Sequence, residues 1–336
     1  MSVENRAEAG RLGALVRGFE GRRVLVLGDL IADQFVSGEI RRISREAPVM
    51  ILRHERTETV PGGAANCAMN LAALGARASL VGVAGDDPAG RELLEKLKGS
   101  GVDCSGVVVS PGLRTTTKMR ILAGHAHSTR QQVVRLDYES EVLGDEGVLA
   151  EVAANVREGL KGAEAAIVSD YNYGAACETT VGPLRRGGVT VVVDSRFRMR
   201  EFAGFDSATP NEDEVEQVAG RRFSDAAELA EEGERLRAEL GYRALLVTRG
   251  KHGLVLLEEG ARPLHVEAVG SHEAVDVTGA GDTVIATYAL ALASGADYPT
   301  AARLANHAGG VVVLKRGTAC VYPPELLASL EHEGQV

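Results

Sequence analysis

Short, unbroken apolar runs alternate with stretches whose apolar residues recur every three or four positions. "RRVLVLGD" (22–29), "ASLVGVAG" (78–85), "AAIVSD" (165–170), "VTVVVD" (189–194) and "ALLVTRG" (244–250) have the length and character of strands covered on both faces. Between them, "GRELLEKLKGSG" (90–101) and "AAELAEEGERLRAELG" (226–241) carry helical spacing, and an amphipathic helix precedes the first strand. Alternating βα units predict an α/β fold with a largely parallel sheet between helical layers.

Two stretches break the alternation. "QFVSGEIRRISREAPVMILRHERTETV" (34–60) and "LRTTTKMRILAGHAHSTRQQVVRLDYE" (113–139) are rich in β-branched residues, arginine and polar turns, the pattern of antiparallel strand pairs. They are expected to join as a small β lid, residues 34–58 and 113–137, over a main domain made of 1–33, 59–112 and 138–336.

Composition narrows the function. The 336 residues carry 45% hydrophobic side chains and a net charge of −10, enough for a substantial core and unlike a nucleic-acid or anionic-membrane binder. The N-terminal stretch is charged throughout, and no apolar run reaches the roughly 18 residues of a membrane span. Cys67, Cys104, Cys177 and Cys320 form neither a CxxC pair nor a zinc cluster, which predicts a reduced, cytoplasmic protein. There is no GxxxxGK[ST] loop, GxGxxG fingerprint or protein-kinase HRD/DFG set.

Another phosphate cradle is present. In "DVTGAGDT" (276–283), Gly279, Ala280 and Gly281 leave backbone N–H groups open at a helix start, where the positive dipole end favours an anion. Asp282 then lies in the first turn, placed to take a proton from a substrate hydroxyl, or simply to cap the helix. "PGGAANCAMNLAALG" (61–75) is a second glycine-rich helix start, with Asn66 in its first turn able to face the same ligand or merely to support packing.

Taken in order, "GDLIAD", "PGGAAN", "TPNEDE", "TRGKHG", "DVTGAGDT" and "NHAGGVVVLKRGT" resemble the ribokinase-like, or PfkB, carbohydrate kinases over nearly the whole chain. The resemblance implies a three-layer α/β/α domain with a β-sheet lid, ATP as phosphoryl donor, Mg2+, and a homodimer through the lid sheets. It makes Asp282 the base and Gly279–Gly281 the anion hole. Asp29 and Asp33, one or both, with Gly62, Gly63 and Asn66, would bind sugar hydroxyls. Asn211 and Glu214 match an NxxE pattern whose glutamate supports the metal through water, although "TPNEDE" also reads as a plain helix start. Thr248, Gly250, Gly253, Asn306 and Gly317 resemble the nucleotide side; Gly253 and Asn306 equally suit a turn and a helix surface.

Within that family, "RRISREAPV", "TTTKMR", "QQVVRLDYE" and "SDY" resemble the kinases of D-glycero-β-D-manno-heptose 7-phosphate, which phosphorylate O1 on the way to lipopolysaccharide precursors. Related bifunctional enzymes add a nucleotidyltransferase domain, which is not expected in these 336 residues. Lys118 and Arg120, with Arg41, Arg42 and Arg135, are candidates for a distal phosphate or for a solvated strand face. The chain departs from the group's pattern at Arg45, Tyr173, Ser195 and Arg196, and in a longer loop holding His125 and His127, read as lid loop rather than metal site. Another sugar, sugar phosphate or nucleoside as acceptor, and a silent binding regulator on the same fold, are the alternatives.

Overall fold

The computed structural model describes residues 3–125, 130–139, 142–270 and 274–333. Helix α1 (Val3–Arg17) buries Leu12 and Val16, and strand β1 (Arg23–Gly28) follows at the centre of the main sheet. Along β1 the side chains divide by parity, as strand geometry requires. Val24 and Val26 join one core, and Leu25 and Leu27 another on the opposite face. The apolar runs in the sequence are continuous, not alternating, because both faces are covered.

Chain order is then β2 (Leu30–Ile43), β3 (Met50–Gly63), α2 (Ala64–Ala73), β4 (Arg77–Gly85), α3 (Pro88–Gly99), β5 (Asp103–Ser110), β6 (Thr116–Gly124) and β7 (Gln131–Tyr138). The second half adds α4 (Glu146–Gly159), β8 (Ala165–Asp170), α5 (Glu178–Arg185), β9 (Thr190–Ser195), the short β10 (Ser207–Ala208), α6 (Glu212–Ala219) and α7 (Ala226–Leu240). It closes with β11 (Ala244–Thr248), β12 (Leu254–Glu258), β13 (Leu264–Val266), α8 (Ala280–Ala293), α9 (Tyr298–Val312) and α10 (Pro323–Glu333).

The main sheet runs β13-β12-β11-β10-β9-β8-β1-β4-β5, parallel except for β12 and β13. One face packs on α1, α2, α3, α8, α9 and α10, the other on α4 to α7, which makes the expected three layers. Successive strands leave β1 in opposite directions, so a crevice opens at the carboxyl ends of β1 and β8, the usual ligand position in such a sheet.

The small sheet runs β3-β2-β6-β7. Each expected pair is antiparallel, but β2 and β6 join in parallel. Both spring from the carboxyl edge of the main sheet, β2 after β1 and β6 after β5, and therefore point the same way. The hairpin of β2 and β3 also reaches further than the sequence suggests: only Asp29 separates β1 from β2, and β3 passes directly into α2. Asp33, Gly62 and Gly63 consequently lie on strands of the small sheet.

Candidate active site

Helix α8 starts at Gly279, whose φ of 75° lies in the left-handed region that favours glycine. A Cβ on Gly279 would stand 2.6 Å from Asn66 Nδ2, whereas one on Gly281 would meet only open space. The Ala280 N–H donates to the Val277 carbonyl and the Thr283 N–H to the Gly279 carbonyl, both at 3.2 Å, so the open part of the predicted cradle is at Gly281 and Asp282.

Asp282 occupies the third position of α8 and is 4% exposed. Its Oδ2 accepts from Asn66 Nδ2 at 2.7 Å, and its Oδ1 accepts from Tyr171 OH at 3.2 Å and, weakly, from Cys67 Sγ at 3.5 Å. Burial raises its pKa to about 6; the three donors oppose that rise, and Asp33 adds to it. Asn66 is itself fixed by Asn70 Nδ2, which donates to Asn66 Oδ1 at 3.1 Å while Asn70 Oδ1 accepts from Thr283 Oγ1 at 2.9 Å. The starts of α2 and α8 are thus joined by a buried amide relay that ends on one carboxylate.

On one side of Asp282 an open cleft of about 200 Å³ is lined by Ala280, Gly281, Thr248, Gly250, Gly253 and Asn306, with Val269, Val284 and Val313 supplying an apolar wall. Gly253 has φ 77°, and a Cβ there would lie 2.0 Å from the Val266 carbonyl, so the glycine admits a close backbone crossing. Asn306 donates from Nδ2 to the Glu267 carbonyl at 2.7 Å and holds the neighbouring segment in place. Asn211 and Glu214 form a reciprocal cap at the start of α6, 2.8 Å in each direction, next to Thr248. Burial raises the Glu214 pKa to about 7. Asp194, at the end of β9, is pushed well above the usual carboxylate range by burial and by repulsion from Glu214, Asp282 and Asp170.

On the other side of Asp282 stands the small sheet. Asp33 pairs with Arg120, both largely buried, and the Arg120 guanidinium also lies 5.3 Å from the Phe35 ring centroid. The Lys118 ammonium sits 5.6 Å from the Tyr171 ring centroid, its pKa lowered by burial, with Asp33 opposing.

The sequence matches the pfkB family carbohydrate kinase over residues 22–324. The chain belongs to this family. It is 42% identical over 320 residues, 94% of its length, to the bifunctional protein HldE of Azotobacter vinelandii strain DJ, and 42% identical over 318 residues to that of Pseudomonas aeruginosa PAO1. It spans 65% of the length of both relatives. By structure it is similar to Arabidopsis thaliana ribokinase complexed with ribose and ATP, with TM-score 0.72, 21% identity, and coverage of 93% of this chain and 99% of that one. Escherichia coli phosphofructokinase-2 in complex with potassium gives TM-score 0.75 at 17% identity, with coverage of 94% and 99%. These two structures support the fold: a large mostly parallel sheet beside a small one.

Within this carbohydrate kinase several candidate residues have a different immediate partner from the one the sequence suggests. Asp29 lines a small cavity, and its carboxylate is held by the backbone of the loop after β8. Its Oδ2 accepts from the N–H groups of Tyr171 at 2.8 Å and Tyr173 at 3.0 Å, and its Oδ1 from that of Ala175 at 3.0 Å. Gly62 is small because Asp33 rests on it, and Gly63 because it crosses Asp29 O, with φ 57°. Gly317 lies outside the cleft lining and donates its N–H to Asp276 Oδ2 at 2.9 Å.

Among the other cations, Arg135 makes a two-pronged contact with Asp137 at 2.9 and 3.0 Å, and Arg41 stands 3.3 Å from Glu39. Arg42, Arg45 and Arg196 are exposed. Ser195 accepts from the Arg198 N–H and donates to Asp170, which also pairs with the Arg198 guanidinium. Tyr173 donates its hydroxyl to Glu139 at 2.5 Å. His127 lies outside the described residues, and among those described no three His, Cys, Asp or Glu side chains converge as ligands. All four cysteines are free.

Sequence reasoning missed Asn70, Cys67, Tyr171, Asp194 and Asp276. Asn70 had a usable signal, since it stands four residues after Asn66 and so on the same helix face. Tyr171 had one only through its place directly after a buried strand.

Proposed function

We propose that this chain transfers the γ-phosphate of ATP to a sugar-phosphate hydroxyl, O1 of D-glycero-β-D-manno-heptose 7-phosphate, giving the 1,7-bisphosphate. The observation that carries the reading is the place of Asp282: buried at a helix start, between a largely apolar cleft and a small sheet bearing Lys118 and Asp33. A carboxylate with a pKa of about 6 is charged at neutral pH and close enough in basicity to take a hydroxyl proton during attack. The acceptor oxygen then bonds to the γ-phosphorus as the bond to the ADP oxygen breaks. N–H groups at the start of α8 meet the charge on the transferring group.

Glu214 suits a hydrated Mg2+. Oxygen ligation is what this ion prefers, and the mutual repulsion of Glu214 and Asp194 favours a positive partner beside them. Bound there, Mg2+ would neutralise phosphate charge. The ATP reading draws further support from Gly250, Gly253 and Asn306 meeting in one cleft with Gly281.

The substrate reading is tested by measuring ADP release with heptose 7-phosphate against ribose, fructose 6-phosphate and a nucleoside. Selective turnover of heptose 7-phosphate is expected. Preference for another acceptor would replace it with the second reading, a related kinase, which the Tyr173–Glu139 bond favours because it fills a position where the heptose-kinase pattern has lysine. A binding-only regulator is disfavoured by an intact Asp282 network.

The small sheet also supports a homodimer. Its edge strand β7 exposes Val133, Val134 and Leu136 at 38%, 44% and 43%, a liability that pairing with a second copy removes. Among the described residues no helix is long and apolar enough to cross a membrane, and four free cysteines suit the cytoplasm.

A further inference from the structure

We infer that Tyr171 is a positioning residue for phosphoryl transfer: its hydroxyl orients the Asp282 carboxylate while its ring seats the Lys118 ammonium. One side chain then aligns the base in the main domain with a cation on the small sheet. The inference rests on the reading of Asp282 as the base.

Two contacts define the arrangement. Tyr171 OH donates to Asp282 Oδ1 at 3.2 Å, and the Lys118 Nζ lies 5.6 Å from the centroid of the same ring. The charge on Asp282 is the main reason the phenol pKa is pushed far upward, so Tyr171 remains a donor throughout the working pH range. Cys67 reaches the same oxygen at 3.5 Å, but a thiol is a weak donor, leaving Tyr171 as the stronger hold on Oδ1.

The backbone around Tyr171 is built to keep it there. Asp29 receives the N–H groups of Tyr171, Tyr173 and Ala175, and Asp170 Oδ1 receives that of Asn172 at 3.1 Å. Between these anchors Asn172 takes φ 66°, the single positive-φ residue other than glycine among the described residues. Strained backbone held by several buried bonds is a device for fixing a side chain at a site. The employment of Asp29 is thereby explained: it supports the loop that supports the base.

The groups facing Asp282 are distributed over several elements. Asn66 and Cys67 come from α2, Tyr171 from the loop after β8, Asp194 from β9 and Asp33 from β2; the last two are acidic and oppose its ionisation. Around Lys118 stand Asp33 and Asp137 with Arg135 and Arg196. Asp33 acts on both Asp282 and Lys118 through its charge, while Tyr171 meets both directly, by a hydrogen bond to the first and by its ring face to the second.

The test is Tyr171→Phe, which keeps the ring under Lys118 and removes the donor. With heptose 7-phosphate and ATP we expect kcat to fall roughly tenfold at pH 7, acceptor KM to change less than about threefold, and the acid limb of kcat to move up by roughly half a pH unit or more, because the charged carboxylate loses a hydrogen bond. Tyr171→Leu, which also removes the ring, should raise acceptor KM as well. Should Tyr171→Phe fold poorly, Tyr171→3-fluorotyrosine keeps the shape and strengthens the donor, and the acid limb should move down instead. An unchanged acid limb in either variant overturns the inference. Asp282→Asn runs in parallel: wild-type turnover there would remove the base itself, whereas an inactive Asp282→Asn beside an unshifted Tyr171→Phe would remove only the role of Tyr171.

Discussion

The Asp33 carboxylate lies directly over the backbone of Gly62, so that a Cβ on Gly62 would stand 2.3 Å from Oδ2. Asp33 is also held by Arg120 and is 7% exposed, which leaves it little room to yield. Gly62→Ala should therefore displace Asp33 and raise acceptor KM by roughly tenfold or more. The KM for ATP should stay near its original value, because the cleft proposed for the nucleotide does not include residue 62. Steady-state kinetics with each substrate varied in turn separates the two.

The pH dependence follows from Asp282. In its proposed role as general base Asp282 works when deprotonated, and its pKa of about 6 then places the acid limb of kcat near pH 6, with rate lost as pH falls through that value. Asp282→Asn should lower kcat by about 10²- to 10⁴-fold at pH 7 and flatten that limb. Nucleotide affinity, measured by calorimetry, should change little.

Asp29 offers a test of stability coupled to activity. Asp29→Ala leaves the N–H groups of Tyr171, Tyr173 and Ala175 without their acceptor. Each orphaned buried donor costs about 1–3 kcal/mol, so denaturant unfolding should show a loss of about 3 kcal/mol or more. Residual folded enzyme should also turn over slowly, since the freed loop carries Tyr171.

The Arg198–Asp170 pair, at the other anchor of the Tyr171 loop, gives a second test of stability. Asp170 is 1% exposed and receives Arg198, Ser195 and the Asn172 N–H. Arg198→Leu strands a buried carboxylate and should cost about 3–5 kcal/mol. Adding Asp170→Asn should restore part of that loss in the same unfolding measurement.

Much of this arrangement could be read from the chain, and the rest could not for identifiable reasons. β1, β8 and β9 announce themselves because strands buried on two faces carry an unbroken apolar centre, with polar residues confined to their ends. The extents of β2 and β3 do not, since their junctions at Asp29 and Gly63 carry no turn longer than one residue. Asp282 and Asn66 stand out by their glycine-rich helix starts, yet their bond spans 216 positions of sequence and is visible only in space. The backbone partners of Asp29 are invisible in the sequence, because an acidic residue after a strand looks the same whether or not its own chain folds back onto it. The pairing of Arg120 with Asp33 is equally hidden, since the two lie 87 positions apart.

The passage from β1 to β2 through one residue has a mechanical meaning. The Asp29 carbonyl accepts from the Ala64 N–H at 3.0 Å, so the outgoing and returning chains are cross-tied where the small sheet meets the large one. That rung stands between the Asp29 carboxylate, which holds the backbone of Tyr171, and Ala64, two residues before Asn66. The root of the small sheet and both donors to opposite oxygens of Asp282 are therefore tied to one short stretch of backbone.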